Sequence, residues 1–520
     1  MRTEVIVVGA GPTGLMLAYE LTLAGVPAVV VEKQRTHSTQ SRAGGLQPRT
    51  AEVLDLRGLL EPLLAQEPSD STTGGHFATL PVELDCRPWR TRYPHPVNVP
   101  QIRLEAHLER LLGEQGVPVL RGHEVTAVAQ DAEGITVTWH ADGTPGGGDA
   151  PDGGEVRGDG EVRGGDGEIR GDGEVRGGDG EIRGRYLVAC DGGHSTVRRL
   201  LGVPFPGRER RMSAVAADIT LASRSETVPT ERKHFSQYTR VAGGFHSILH
   251  PIGPDLYRIL FGRLSGQGPD RETPVSADEV REALHAVYGP DTELGELRAA
   301  SRFGDAVRQV ERYREGRVFF AGDAAHIHMP IGGQGVNLGL QDAVNLGWKL
   351  AGTIRGWAPA GLLDSYHEER HPVAARVLRH TRAQAVIMNP GRDEELGTVR
   401  ELVTELLGLP DTNRYVSGMM SGLDLRYPGV GPRLIDLDLT TEDGPTRASR
   451  LMRSGRGLLL SLDGRRRSVG DRSDRVEHVM AKTDEDVDGA GALLVRPDGY
   501  LAWTDTDGTP LDTALARWFG

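Results

Sequence analysis

The sequence predicts an α/β chain of several parts, and three observations carry that reading. A short apolar strand runs into a glycine-rich turn and a helix at the N-terminus, in "MRTEVIVVGAGPTG". Alternating apolar and polar residues recur in mid-chain, around "HSILHPIG" and "YRILFGRL", and short strands return after a long helical tract, in "GLLLSL", "HVMAKT" and "ALLVRPDGYLAW". At 520 residues the chain exceeds one ordinary core, and a prior of roughly 100–200 residues per domain gives about three domains.

The N-terminal pattern is a strand (Val5 to Val8), a glycine turn, an amphipathic helix (Gly14 to Ala24), Gly25 as a stop, and a second strand (Ala28 to Val31). In this βαβ context Gly9-x-Gly11-x-x-Gly14 has a physical reading as a dinucleotide fingerprint. Gly9 permits the tight turn, Gly11 lets a pyrophosphate approach the backbone, and Gly14 lets the helix pack on the sheet. The helix N-terminus supplies free N–H groups and partial positive charge to the phosphate. Glu32 ends the second strand about 20 residues on, where a carboxylate accepts hydrogen bonds from adenosine ribose hydroxyls. These features alone leave NAD and FAD both open.

Residues 119 to 140 alternate as strands, in "GITVTWHA", and belong to a sheet flanking the βαβ unit. They lead into a repeat from Gly146 to Gly184, whose GE[VI]R units start at Gly154, Gly160, Gly167, Gly173 and Gly180. Calcium-binding β-helices use nine-residue units, which this spacing does not match. Each unit holds one apolar residue, so the insert is expected to pack nothing and to form a mobile segment or a loose hairpin.

Strand, turn and helix resume in "RYLVACDGGHSTVRRLLG", strands follow through residues 212 to 265, and a helix is expected at Ala277 to Val287. The stretch "FFAGDAAHIHMPIGGQGVN" then reads as a strand, a Gly322-Asp323 corner, and a second glycine-rich loop opening a helix near Val336. Gly332, Gly333 and Gly335 leave space and free N–H groups at that helix start, an end suited to negative charge. His326-x-His328 points one way on an extended segment, but beyond Asp323 no nearby acid or cysteine completes a ligand set; no metal is expected. One helical tract is expected from Gln341 past Tyr366 to about Met388, and another helix from about residue 400.

Composition excludes several classes. The formal net charge is −13, against a general nucleic-acid or anionic-membrane binder. With Cys86 and Cys190 the only cysteines, a disulfide framework, a CxxC redox pair and a zinc ribbon are absent, and a reduced cytoplasmic setting is expected. The N-terminal apolar run is too short for a signal peptide, and no stretch approaches the roughly 20 apolar residues of a membrane span.

With GxGxxG at the start, Asp191-Gly192 in "LVACDGGHSTVR" and Gly322-Asp323 in "FFAGDAAH", residues 1 to about 390 resemble the group A flavoprotein monooxygenases, the para-hydroxybenzoate hydroxylase family. The chain is most similar to the FAD-dependent hydroxylases of aromatic polyketide (angucycline/anthracycline-type) biosynthesis, through "SRAGGLQPRTAEVLDLRG", "VPQIRLEAHLERLL" and the end "RPDGYLAW". The resemblance implies an FAD-binding Rossmann-like domain of the glutathione-reductase type, an inserted β-sheet substrate domain and a C-terminal thioredoxin-like domain. The expected boundaries are 1–75, 101–205 and 301–395 for FAD binding, 76–100 and 206–300 for substrate, and 396–520 for the last.

It also implies why one chain carries two glycine loops: FAD is long, and the first loop grips its pyrophosphate while the second grips its other end. The implied cofactor set is Gly9, Gly11, Pro12, Thr13, Gly14, Glu32, Lys33, Arg42, Gln101, Val125, Asp191, Gly192, Arg198, Gly322, Asp323, Pro330, Gly333, Gln334, Gly335, Val336 and Asn337. Asp323 would bind a ribityl hydroxyl, Gln101 would lie near the ribityl chain, and Asp191 and Arg198 would serve the pyrophosphate and NADPH. Arg42, Pro330, Gly332 and Gly333 would surround the reacting end. His326 would pack structurally, and His328 would approach flavin or substrate.

The implied activity is NAD(P)H- and O2-dependent hydroxylation of a polycyclic aromatic polyketide through a flavin C4a-hydroperoxide, in antibiotic biosynthesis. The cofactors are FAD and NADPH or NADH, and the protein is expected as a monomer or homodimer. Baeyer–Villiger oxygen insertion is the alternative within the fold, and a non-catalytic FAD-fold binding protein the alternative outside it. A halogenase is disfavoured because WxWxIP is missing, and without CxxC the last domain has no thiol redox role.

Overall fold

The computed structural model describes residues 1–37, 44–65, 75–141, 178–231, 233–266, 268–388 and 394–520. Arg42 and most of the repeat lie outside the described residues.

The first strand, Val5–Val8, stands inside a six-stranded sheet ordered Arg314–Glu315, Val318–Phe320, Tyr186–Ala189, Val5–Val8, Ala28–Glu32, Val119–Arg121. Its pairings are parallel except at the Arg314–Glu315 edge. Parallel strands are covered on both faces and therefore read as unbroken apolar runs. Val5 to Val8 and Ala28 to Val31 are accordingly no more than 5% exposed. Because five of these strands run the same way, the Gly9 turn, Glu32, the Asp191 turn and the Gly322-Asp323 corner all emerge at one end of the sheet. That carboxyl end is where open α/β sheets take ligands.

The helix Pro12–Leu23 packs against the helix Gln334–Ile354, and glycines set the spacing. A Cβ on Gly339 would stand 2.3 Å from Thr13 Oγ1, and one on Gly347 would stand 2.5 Å from the Cβ of Glu20. The expected single tract beyond Gln341 is two helices, Gln334–Ile354 and Ser365–Ile387. Between them, Gly356 and Gly361 take positive φ angles of 79° and 81° around Pro359, a combination that stops a helix.

The second sheet is antiparallel, ordered Thr239–Ala242, Phe245–Gly253, Leu256–Arg263, Ser213–Ser223, Glu293–Gly304. Alternate residues on one face, including Val215, Ala217, Leu249, Ile259 and Phe261, form a core with Val280, Ala283 and Leu284 of the helix Ala277–Tyr288. The opposite face is left for another use.

The repeat is corrected at its last unit. Gly178–Gly184 is a strand paired antiparallel with Ile135–Ala141, and backbone bonds join Arg183 to Met1 and Thr3. Ile182 is fully buried in the main core. The single apolar residue of this unit does pack, because pairing on both sides places it under the N-terminal sheet.

The C-terminal part forms a mixed four-stranded sheet of the thioredoxin-like kind, ordered Val476–Met480, Gly457–Ser461, Ala492–Val495, Leu501–Thr504. It is joined to the helices above by buried charges: Arg496 donates to Glu369 and Asp498, and Lys349 donates to Glu369. Among the described residues no helix is long and apolar enough to cross a membrane.

Candidate active site

A cavity of about 1960 Å³ extends from the first glycine turn to the free face of the antiparallel sheet, well beyond the roughly 300–1,000 Å³ of ordinary ligand pockets. Its walls include Gly11, Pro12, Thr13, Gln101, Gly192, Arg198, Asp323 and the loop from His328 to Val336.

The three glycines of the fingerprint differ in what surrounds them. A Cβ on Gly9, whose φ is +107°, would lie 2.4 Å from the carbonyl oxygen of Cys190, and one on Gly14 would lie 2.0 Å from that of Gly9. A Cβ on Gly11 would meet no protein atom within 4 Å, so the omitted side chain leaves room for a ligand at the helix N-terminus. Glu32 accepts hydrogen bonds from the N–H of Ala10 at 2.8 Å and of Gln34 at 2.7 Å, which aim its carboxylate beside the turn. Lys33 is exposed next to it. Glu32, Lys33 and Val125 are outside the cavity lining, and Val125 is a core residue, 5% exposed.

At the Asp191 turn, Oδ2 accepts from the N–H of Val197, while the buried Oδ1 has no hydrogen-bond partner among the described residues. Burial pushes the Asp191 carboxyl above its ordinary pKa, against the hydrogen bonds from Ser195 and Val197. Gly192, at φ +82°, makes the turn. Arg198 donates to the carbonyls of Ala324 at 2.9 Å and Gly193 at 2.7 Å and stacks 3.7 Å over Phe205. It therefore clamps the Asp191 turn to the Gly322-Asp323 corner, although it also faces the cavity.

Asp323 makes no hydrogen bond to another described residue and lines the cavity. A Cβ on Gly335 would stand 3.9 Å from both Asp323 Oδ1 and His328 Nε2, so the carboxylate, the imidazole and the helix start converge. Gly332 and Gly333 have φ of +67° and +62°, consecutive left-handed residues that favour glycine. The carbonyl of Gly332 accepts from Gln47 Nε2 at 2.9 Å and Gln334 Nε2 at 3.0 Å. Asn337 donates to the carbonyls of Gly333 and Gly45 and accepts from the N–H of Gln47. Asn337 thus shapes the loop from behind, whereas Pro330, Gly333, Gln334, Gly335 and Val336 face the cavity.

The two histidines diverge. His326 is fully buried with Nε2 2.7 Å from Asp342, while His328 lines the cavity with Nδ1 on the carbonyl of Met329. Burial holds the His328 pKa below its ordinary value, against the Met329 carbonyl and Asp323. Among the described residues no cluster of three or more His, Cys, Asp or Glu could hold a metal. Gln101 starts its helix at the cavity wall and donates to Glu105.

Sequence reasoning missed Gln47, Asp342 and Arg370. A signal existed for the first: Asn337, Gln341, Asn345 and Lys349 recur every fourth residue on an otherwise apolar helix, a polar stripe that needs buried partners, and Gln47 is a partner of Asn337. The residues present fit FAD: an open Cβ direction at Gly11, a buried unpartnered oxygen on Asp191, and a carboxylate facing the cavity at the far corner.

Comparison with known proteins agrees with this geometry. Residues 2–147 and 159–381 match a family described as FAD binding domain, and residues 427–520 match one described as aromatic-ring hydroxylase, C-terminal. The chain is 44% identical to 12-dehydrotetracycline 5-monooxygenase/anhydrotetracycline 6-monooxygenase of Streptomyces rimosus subsp. rimosus, across 100% of this chain and 99% of that protein. The structure of the anhydrotetracycline hydroxylase OxyS from Streptomyces rimosus matches with a TM-score of 0.85 at 43% identity, covering 100% of this chain and 99% of that one. CabE, an aromatic hydroxylase from angucycline biosynthesis, matches with a TM-score of 0.84 at 36% identity over the same shares. The chain therefore belongs to the FAD-dependent aromatic-ring hydroxylases, the flavoprotein monooxygenase family that its sequence resembles.

Proposed function

We propose that the protein hydroxylates a polycyclic aromatic polyketide, with FAD as its resident cofactor, O2 as co-substrate and NADPH or NADH as reductant. The single observation that carries this reading is continuity. One cavity joins the first glycine turn, the Asp323 corner and the free face of the antiparallel sheet, so a dinucleotide and a large flat substrate would share one continuous space. The polyketide class is supported by the tetracycline and angucycline relatives.

Bound FAD supplies electron transfer and oxygen activation. The chain supplies the rest. The N-terminus of Pro12–Leu23 would hold the pyrophosphate at Gly11, and Asp323 would accept a hydrogen bond from the ribityl chain. The loop from Pro330 to Gly335, fixed by Gln47, Gln334 and Asn337, would offer backbone N–H groups and the N-terminus of a 21-residue helix to negative charge on the flavin. His328 lines the same cavity, and its Nε2 has no hydrogen-bond partner among the described residues. No protein nucleophile enters this scheme.

The test uses the purified yellow protein with NADPH, 18O2 and anhydrotetracycline as probe. Gain of one labelled oxygen on an aromatic carbon, with matching NADPH oxidation, is expected. Insertion of the label as a ring ester identifies Baeyer–Villiger chemistry, and absence of bound flavin overturns the reading.

A further inference from the structure

The free face of the antiparallel sheet is built in rows, and the strand register lays them out. Alternate residues of a strand share a face, and cross-strand neighbours lie about 5 Å apart. Arg258 pairs with Asp218 on one side and His250 on the other. Two residues along, Leu260 pairs with Ala216 and Ile248, and two further, Gly262 pairs with Ala214 and His246. All nine side-chain positions line the cavity. Successive rows are about 7 Å apart along the strands, so the wall runs from a polar row through an apolar row to a row opened by glycine.

The polar row is held in place. Arg258 Nε donates to Asp218 Oδ1 at 2.7 Å and Nη2 donates to Oδ2 at 2.9 Å, a two-pronged pair whose side chains are 16% and 14% exposed. Such a fork fixes the guanidinium plane, and Nη1 makes no hydrogen bond to another described residue. His250 packs on Phe235 and Tyr238 at ring separations of 5.6 Å, and His76 stacks on Phe235 at 4.8 Å with planes 5° apart. The row thus ends in an aromatic corner suited to the edge of a fused-ring ligand.

We infer that Arg258, oriented by Asp218, is a specificity-determining residue: its outward N–H groups read an oxygen substituent on one edge of the substrate while Ala216, Leu260 and Ile248 lie under the ring plane. The inference rests on the polyketide reading above and adds to it which edge of the site is polar. A charged donor left facing a ligand that cannot accept its hydrogen bond costs more than an apolar mismatch, so oxygenated ligands are selected over plain hydrocarbons.

The experiment compares holoenzyme and the double variant Asp218→Asn/Arg258→Gln, titrated with two probes, anhydrotetracycline and the oxygen-free anthracene, with Arg258→Lys as a second variant. The expected result is a loss of tenfold or more in affinity for anhydrotetracycline, no loss for anthracene, and unchanged FAD content. Arg258→Lys, which keeps the charge but not the fork, should fall between. Equal weakening for both probes, or an unchanged ratio in both variants, would overturn the proposal and leave the polyketide reading standing. Wild-type protein that binds neither probe would overturn both.

Discussion

The carboxylate of Asp342 lies 2.7 Å from His326 Nε2, with neither side chain reaching solvent. Its other oxygen, Oδ1, accepts from Arg370 Nε at 2.7 Å, while the N–H of Gly322 donates to the His326-bound Oδ2 at 3.1 Å. Asp342 therefore anchors, from inside the protein, the corner that presents Asp323 to the cavity. Burial would raise the Asp342 pKa, but Arg370 and His326 outweigh it and hold the group below its ordinary value.

Asp342→Asn and Asp323→Ala should consequently fail in different ways. Removing one member of a buried ion pair costs roughly 3–5 kcal/mol, so Asp342→Asn should lower the thermal midpoint of flavin-free protein. Asp323→Ala should leave that midpoint unchanged and weaken FAD binding by about ten- to a hundredfold, the worth of a charge-assisted hydrogen bond of roughly 1.5–3 kcal/mol. His328→Ala should weaken it less. Calorimetry and flavin fluorescence titration decide; a destabilised Asp323→Ala protein would show that this carboxylate supports the fold itself.

The fingerprint glycines separate similarly. Gly11 has φ −80° and ψ −178°, which any residue adopts, and open space where its Cβ would point. Gly11→Ala should fold normally and lose FAD affinity, and Gly11→Glu should abolish binding. Gly14→Ala, whose methyl would stand 2.0 Å from the Gly9 carbonyl oxygen, should lose folded yield instead. Equal folded yields for the Gly11 and Gly14 variants would show that the helix can move away from the sheet at no cost.

Acid stability should depend on Glu369. It accepts from Asn345, Lys349 and Arg496, and although burial raises its pKa, Arg496 and then Lys349 bring it from 4.5 down to about 2. A carboxyl depressed in the folded state gives stability that is complete above the unfolded value near 4.5 and is lost as pH falls through about 2. Glu369→Gln should therefore lower the midpoint at neutral pH and flatten the acid-side decline. Arg496 lies 5.2 Å from the ring of Trp348 and 4.6 Å from that of Trp518, so tryptophan fluorescence reports the change. An acid transition identical to wild type would place the decisive carboxylates elsewhere.

Local chemistry explains what the sequence disclosed. The spacing of Gly9, Gly11 and Gly14 across a strand-to-helix turn, and the place of Gly322 just after a strand, are local patterns, so these positions were readable one by one. Long-range partnerships were not. The bond from Arg198 to the carbonyl of Ala324, 126 residues away, has no local signal. Asn345 meets Asp498 across 153 residues, and no periodicity announces such a pair. The break after Ile354 was legible in Gly356, Pro359 and Gly361 but was overridden by the helical pattern on either side. The row Asp218, Arg258, His250 depends on strand register, which alternation alone leaves undetermined.

The repeat supplies the last test, because the same heptapeptide, GDGEIRG, occurs at 165–171 and again at 178–184, and the second copy is the strand that buries Ile182. Deleting the insert through Gly184 would remove that strand and should cost folding. Deleting residues 145–175 should not: Asp142, Gly143, Thr144, Arg176 and Gly177 remain as a hairpin connection of ordinary length, and a shorter loop costs less to close, by about 0.6 kcal/mol for each halving. In that shortened chain no other copy of GDGEIRG can take the place of 178–184, so Ile182→Ala should show its full cost of roughly 2–5 kcal/mol. In the complete chain a shift of register could bring Ile169 to the same position, and the substitution should cost less there. Denaturant unfolding of the four proteins measures the difference; an equal penalty for Ile182→Ala in the long and short chains would show that the strand is fixed to its own copy.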